Sequence, residues 1–176
     1  MAEQRCAVVA VLGAPNAGKS TLVNTLVGAK VAAVTQKVQT TRALVRGIAM
    51  RDEVQLVLID TPGVFSPKRR LDRAMVAAAW SALEGADAIV HVVDAAAHAS
   101  GAKGADAHAV ADTAAIAKKL KQMELASILV LNKVDEAPKE PLLIAAQALA
   151  GEGQFDEVFF VSALTGDGVP ELKARL

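Results

Sequence analysis

Residues 13–21 read GAPNAGKST, directly after the apolar run Ala7 to Leu12. A glycine, four residues, then Gly-Lys-Ser, set between a strand-like run and the helix-like segment Ser20 to Val27, is the context a phosphate-gripping loop requires. Gly13 and Gly18 let the backbone approach a phosphate closely. From Ala14 through Pro15, Asn16, Ala17 and Gly18 to Lys19, backbone N–H groups would point inward at a β-phosphate, and the helix N-terminus adds favourable partial charge. Lys19 would bridge the β- and γ-phosphates, and the hydroxyl of Ser20, followed by Thr21, would ligate magnesium. Alone, such a motif arises by chance in roughly one random chain in a few hundred. The surrounding sequence must therefore decide.

Outward from this loop, runs rich in branched residues occur at Ala7 to Leu12, Leu44 to Met50, Val54 to Ile59, Ala88 to Val93, Ile128 to Leu131 and Val158 to Val161. Helical spacing appears between them, in Leu71, Met75, Ala78 and Ala82, and in Val110, Ala114, Ala117, Leu120 and Met123. The alternation predicts an α/β sheet with helices on both faces. Ala88 to Val93 is almost continuously apolar, as a central parallel strand buried on both sides must be, and only His91 interrupts it. That histidine reads as packed and hydrogen-bonded. Leu44 to Met50 and Val54 to Ile59 are joined only by Arg51, Asp52 and Glu53, which permits nothing but an antiparallel hairpin, so the sheet should be mixed. Ala95 to Ala107, rich in Ala, Gly and His, reads as a mobile surface loop. Its Gly-Ala-Lys-Gly at 101–104 lacks the helices and sheet that an RNA-clamping loop of that pattern needs. Val169, Pro170 and Glu171 read as the first turn of a short final helix, and so brief a helix reads as a chain cut short.

Three further stretches carry chemistry. Val54 to Ile59 runs into Asp60-Thr61-Pro62-Gly63, an acid at a strand tip that would hold magnesium through water, then a glycine whose N–H could touch a γ-phosphate. Ile128 to Leu131 runs into Asn132-Lys133-Val134-Asp135. The Asp135 carboxylate can accept two hydrogen bonds from N1–H and the exocyclic N2 of guanine. Adenine offers neither donor there and would leave the acid unpaired. Asn132 would support the O6 and N7 edge, and the Lys133 stem would lie over the ring. Val158 to Val161 leads to Ser162-Ala163-Leu164, where the Ala163 amide could donate to O6. All four stretches stand at carboxyl ends of expected strands, where open α/β sheets bind ligands.

In the order GAPNAGKST, DTPG, NKVD and SAL, the chain resembles the translation-factor class of small GTPases. The implied fold is an α/β P-loop NTPase, a three-layer sandwich about a mixed, mostly parallel six-stranded sheet. Gly28 to Gly47, GAKVAAVTQKVQTTRALVRG, resembles specifically the Era family, whose switch I carries Gln-Thr-Thr-Arg at this place. Related tRNA-modifying and tandem-domain ribosome-assembly GTPases usually follow that arginine with aspartate, whereas here Arg42 is followed by Ala43. The resemblance covers residues 1–176 as one GTP-binding domain. It implies a switch that hydrolyses GTP to GDP, acting in maturation of the small ribosomal subunit through 16S rRNA. The RNA would be contacted mainly by a C-terminal KH domain absent from this chain.

The resemblance also implies site roles. A switch I threonine would ligate magnesium in the GTP state, with Thr41 the best match and Thr40 second. Ras-like enzymes orient the attacking water with a glutamine just after the switch II glycine, but that position here is Val64. Asn16 matches the asparagine that ligates potassium in cation-dependent members, and a monovalent cation beside the phosphates could stabilise developing charge. Catalysis would then fall to Lys19, Asn16, Thr41 and the N–H of Gly63.

The totals exclude several alternatives. With 19 basic and 19 acidic residues the formal charge is +0, so no global field draws this chain to nucleic acid. Local basic clusters, Lys30, Lys37, Arg42 and Arg46 in switch I and Lys68, Arg69, Arg70 and Arg73 in switch II, read as a solvated face or as a surface for RNA or for the missing C-terminal portion. Cys6 is the single cysteine and reads as core filler in a reducing cytosol. No apolar stretch approaches the roughly 20 residues of a bilayer span, so the protein is expected to be soluble; with the single cysteine this gives a cytoplasmic expectation that leaves a peripheral association with the membrane open. Two rivals stand beside the switch: a GTP sensor that barely hydrolyses, favoured by Val64, and an ATP-using P-loop enzyme.

Overall fold

Strand pairing explains where the loops end up. The computed structural model describes residues 5–32, 34, 44–101 and 104–176. Among these, β1 (Arg5–Gly13), β2 (Val45–Arg51), β3 (Val54–Asp60), β4 (Ala88–Asp94), β5 (Ser127–Asn132) and β6 (Phe155–Phe160) form one sheet in the order β2-β3-β1-β4-β5-β6. Every pairing is parallel except β2 with β3, the expected hairpin. Its turn is made by Asp52, whose φ of 51° is a left-handed conformation that short polar side chains tolerate. β1 has β3 on one side and β4 on the other, so successive connections leave it in opposite directions. A crevice at the carboxyl end of β1 follows from that reversal.

The period of two along the strands divides the core into two layers. Val9, Val11, Val90, Val92 and Val130 point to one face and meet Leu22, Val23 and Leu26 of α1 (Lys19–Val27) with Val169 and Leu172 of α6 (Val169–Arg175). Ala10, Leu12 and Ile89 point to the other. They meet Ala79 of α2 (Arg70–Ser81) with Ile116 and Leu120 of α4 (Ala105–Gln122). Further along that face Val93, Leu129 and Leu131 meet Leu142 and Leu149 of α5 (Lys139–Glu152). The three-layer sandwich is the expected one.

The expected loop from Ala95 to Ala107 differs. Asp94 accepts the Ala97 N–H at 2.9 Å and caps a short helix, α3 (Ala95–Ala99), and α4 already begins at Ala105. Alanine is the best helix former, and its abundance outweighs the absence of a long apolar stripe. Ala102 and Lys103 of the Gly-Ala-Lys-Gly stretch lie outside the described residues. Cys6 is exposed and is not core filler, because β1 projects at its start beyond the layers that bury Val9 to Leu12. His91 is fully buried, but neither ring nitrogen has a hydrogen-bond partner among the described residues, contrary to the expected satisfied histidine. Its neighbours along β4, and Leu12 and Leu129 across it, are apolar.

Candidate functional site

The loop after β1 closes over itself, with the Ala17 N–H donating to Ala14 O and the Leu22 N–H to Gly18 O. A Cβ at Gly13 would lie 2.3 Å from the Val92 carbonyl oxygen, so β1 and β4 touch there only because the side chain is missing. Gly18 has φ 91°, and a Cβ on it would meet Asn132 Nδ2 at 2.1 Å. A Cβ at Gly63 would stand 2.9 Å from the Pro15 backbone, while the neighbouring Val64 N–H donates to Gly13 O at 3.0 Å. The loops after β1, β3 and β5 thus meet at glycines.

Inside the first loop Lys19 is buried, and its Nζ donates to Ala14 O at 2.8 Å. Burial pulls its pKa from the ordinary 10.5 down to about 8, with the Asp60 carboxylate opposing the shift. The lysine is still a cation at neutral pH, held where an anion would be attracted. Ser20 Oγ donates to Asp60 Oδ2 at 2.6 Å, and Thr61 Oγ1 fixes the switch II entrance by donating to Val11 O at 2.7 Å. A hydroxyl and a carboxylate brought together beside the lysine are hard oxygen donors suited to magnesium. Asn16 has φ 61° and stands exposed on the rim. Thr40 and Thr41, with Lys37 and Arg42, lie outside the described residues.

The base side is assembled by Asn132, which is 2% exposed. Its Nδ2 donates to Ala17 O and its Oδ1 accepts the Ala163 N–H, both at 2.9 Å, so one side chain brackets the phosphate loop and the loop after β6. The amide and the Ala163 N–H, both read from the sequence as edge readers, are bonded to protein here. Lys133 has φ 67° and Val134 to Glu136 form a single 3₁₀ turn, which leaves the Asp135 carboxylate exposed at the rim. Ser162 is buried, with its Oγ accepting the Thr165 N–H; Ala163 is buried, and Leu164 is exposed. Val64 lies in the core with Leu12 and Ala79, so no side chain at that position reaches the phosphates.

Several contributors escape a sequence reading. Thr25 Oγ1 donates to Ala163 O at 2.7 Å, and the Asn24 side chain binds both N–H and C=O of Ala32. The Asp94 carboxylate takes Lys133 Nζ at 2.5 Å. The position of Asp94 at the end of a buried strand, as with Asp60 and Asn132, is the signal that could have found it.

A lysine and a serine in a glycine-hinged loop, an aspartate at the next strand tip and an exposed acid after Asn-Lys define a P-loop nucleotide-binding domain of the GTPase class. The family model described as 50S ribosome-binding GTPase matches residues 8–133. The chain belongs to this family, and within it to the Era GTPases. It is 56% identical over 174 residues to GTPase Era of Maricaulis maris, covering 97% of this chain and 55% of that protein. It is 53% identical over 176 residues to GTPase Era of Erythrobacter litoralis, covering 98% and 55%. Among solved structures, Era in complex with MgGDPNP and nucleotides 1506–1542 of 16S ribosomal RNA matches with TM-score 0.80 and 31% identity, over 98% of this chain and 56% of that one. An Aquifex aeolicus Era variant bound to GDP.AlF4⁻ matches with TM-score 0.78 and 32% identity, over 97% and 56%. The chain therefore spans about half the length of the curated relatives it matches.

Proposed function

We propose that this chain is the GTP-binding and GTP-hydrolysing domain of an Era-type switch. The observation that carries the proposal is the juxtaposition on Asn132: one amide joins the loop bearing Lys19 to the loops that present Asp135 and Ala163. A guanine seated on Asp135 would thereby place its phosphates against Lys19. Ala163 and Asn132 would exchange part of their mutual bond for the O6 edge.

Hydrolysis would proceed by in-line attack of water on the γ-phosphate, with Lys19 and the Gly63 N–H facing the oxygens on which charge gathers. Ser20, Asp60 and Thr41, or Thr40 in its place, would hold magnesium, which neutralises phosphate charge when bound. The exposed Asn16 would hold potassium, a second source of positive charge. With Val64 in the core, the side chain after Gly63 does not orient the water, and the unassisted rate should be no faster than the order of 10⁻⁴ s⁻¹ of intrinsic switches. The same buried valine favours a second reading, a GTP sensor with negligible turnover.

The likeness to Era bound to 16S ribosomal RNA supports action on the small ribosomal subunit, although the matching family model is named for the large one. RNA contact would belong mainly to a KH-type segment C-terminal to these residues. Among the described residues no helix is long and apolar enough to cross a membrane. A cytoplasmic location with peripheral membrane contact is part of the same proposal.

Single-turnover phosphate release from GTP and ATP, with magnesium and either potassium or sodium, tests the reading. Release from GTP alone is expected, faster in potassium, with the difference abolished in Asn16→Ala. Equal rates in the two salts would remove Asn16 from the mechanism. Tight GTP binding without release would establish the sensor, and equal affinity for GDP and ADP would end the guanine reading.

A further inference from the structure

We propose that Asp94 is a positioning residue for the base site, holding Lys133 by its ammonium so that the lysine stem is already laid out for the ring; the inference rests on the function proposed above. Asp94 ends β4 opposite Asn132 in the β4–β5 register. Its two oxygens have separate partners. Oδ2 takes Lys133 Nζ at 2.5 Å, with the two side chains 15% and 26% exposed, while Oδ1 accepts the Ala97 N–H and caps α3. Lys133 is itself in the left-handed region, between the buried Asn132 and the exposed Asp135, so its backbone is committed and only its long side chain needs a direction.

A lysine stem gives up rotamer freedom when it is fixed against a ligand. A carboxylate that already grips its end removes much of that loss from the binding step. Because the pair is partly buried, it is screened less than an ordinary surface pair. No carboxylate other than Asp94 pairs with Lys133 among the described residues.

Asp94→Asn separates the two jobs, since an amide oxygen can still cap α3 but the charge is gone. Titration calorimetry with GDP and magnesium should show affinity reduced roughly five- to tenfold. Lys133→Met should weaken binding as well, and adding Asp94→Asn to it should cost nothing further. The urea midpoint of the nucleotide-free Asp94→Asn chain should match the unaltered one, which a purely structural role would not allow alongside lost affinity. Should Asp94→Asn fail to fold, Asp94→Ser keeps a cap and takes its place in the same cycle. Full GDP affinity in Asp94→Asn, or a loss undiminished on top of Lys133→Met, overturns the proposal. If the unaltered chain binds no GDP, the proposed function fails first; if it binds and Asp94→Asn binds equally, only this inference does.

Discussion

Asp135 shows how much one side chain can decide. It is exposed on a 3₁₀ turn held before it by Lys133 in its left-handed conformation and the Val134 N–H on Val161 O, and after it by the Glu136 N–H on Lys133 O. An acid so placed has water as its alternative partner, so its preference for guanine comes from offering two acceptors to two donors. Asp135→Asn keeps the shape and exchanges one acceptor for a donor. Xanthine carries an oxygen where guanine carries its amino group, so the substituted amide matches xanthine on both contacts. Calorimetry should show GDP weakened at least about a hundredfold and the xanthine nucleotide bound better than GDP. Unchanged GDP affinity would mean that Asp135 does not touch the base.

At the scale of elements, the site is a meeting of strand ends that glycines allow to touch. Gly13 and Gly28 separate two reasons for having glycine. Gly13 has ordinary backbone angles, but a Cβ would strike the Val92 carbonyl, so Gly13→Ala must part β1 from β4. Gly28 has φ 79° with open space around it, so Gly28→Ala meets only the left-handed penalty. Urea unfolding should show about 1 kcal/mol lost for Gly28→Ala and at least about 3 kcal/mol for Gly13→Ala. Comparable losses would mean that β4 yields easily at this point. The contrast also marks where sequence reading stops. The six strands and the hairpin are legible because short branched apolar runs bounded by turn residues leave few arrangements, and the motif residues because phosphate chemistry needs those types in that order. β6 starts three residues before the apolar run that announced it, since Asp156 lies on an exposed edge where alternation replaces continuity. α5 does not stand out in the sequence, although Leu142, Ala145 and Leu149 form a buried stripe, because apolar residues such as Leu143 and Ile144 also fill its exposed face. The contacts of Asp94, Thr25 and Asn24 depend on distant segments, which local pattern does not encode.

At the scale of the whole molecule, the buried side of the sheet contains an ionisable group that opposes acid conditions. His91 lies in the central strand, fully buried, with its ring 6.1 Å from that of Phe155 and, among the described residues, no hydrogen-bond partner for either nitrogen. Burial first, then the positive charges of Lys19 and His98, lower its pKa from 6.5 to about 3. The folded chain therefore keeps His91 neutral down to about pH 3, while the unfolded chain takes up a proton below about 6.5. A group with a depressed basic pKa contributes nothing adverse above 6.5 and draws the equilibrium toward unfolding as pH falls through the window from 6.5 to 3. The slope is about 1.4 kcal/mol per pH unit at its steepest. His91→Leu removes both the titration and two unsatisfied buried nitrogens, whose desolvation is otherwise uncompensated. Urea unfolding at pH 6.5 and 4.5 should show the unaltered chain losing about 2 kcal/mol more than His91→Leu between the two. At neutral pH the variant should be at least as stable as the unaltered chain. Parallel losses in the two proteins would show that the central strand admits a proton or a water to His91, and that acid sensitivity of this fold lies with its surface carboxylates.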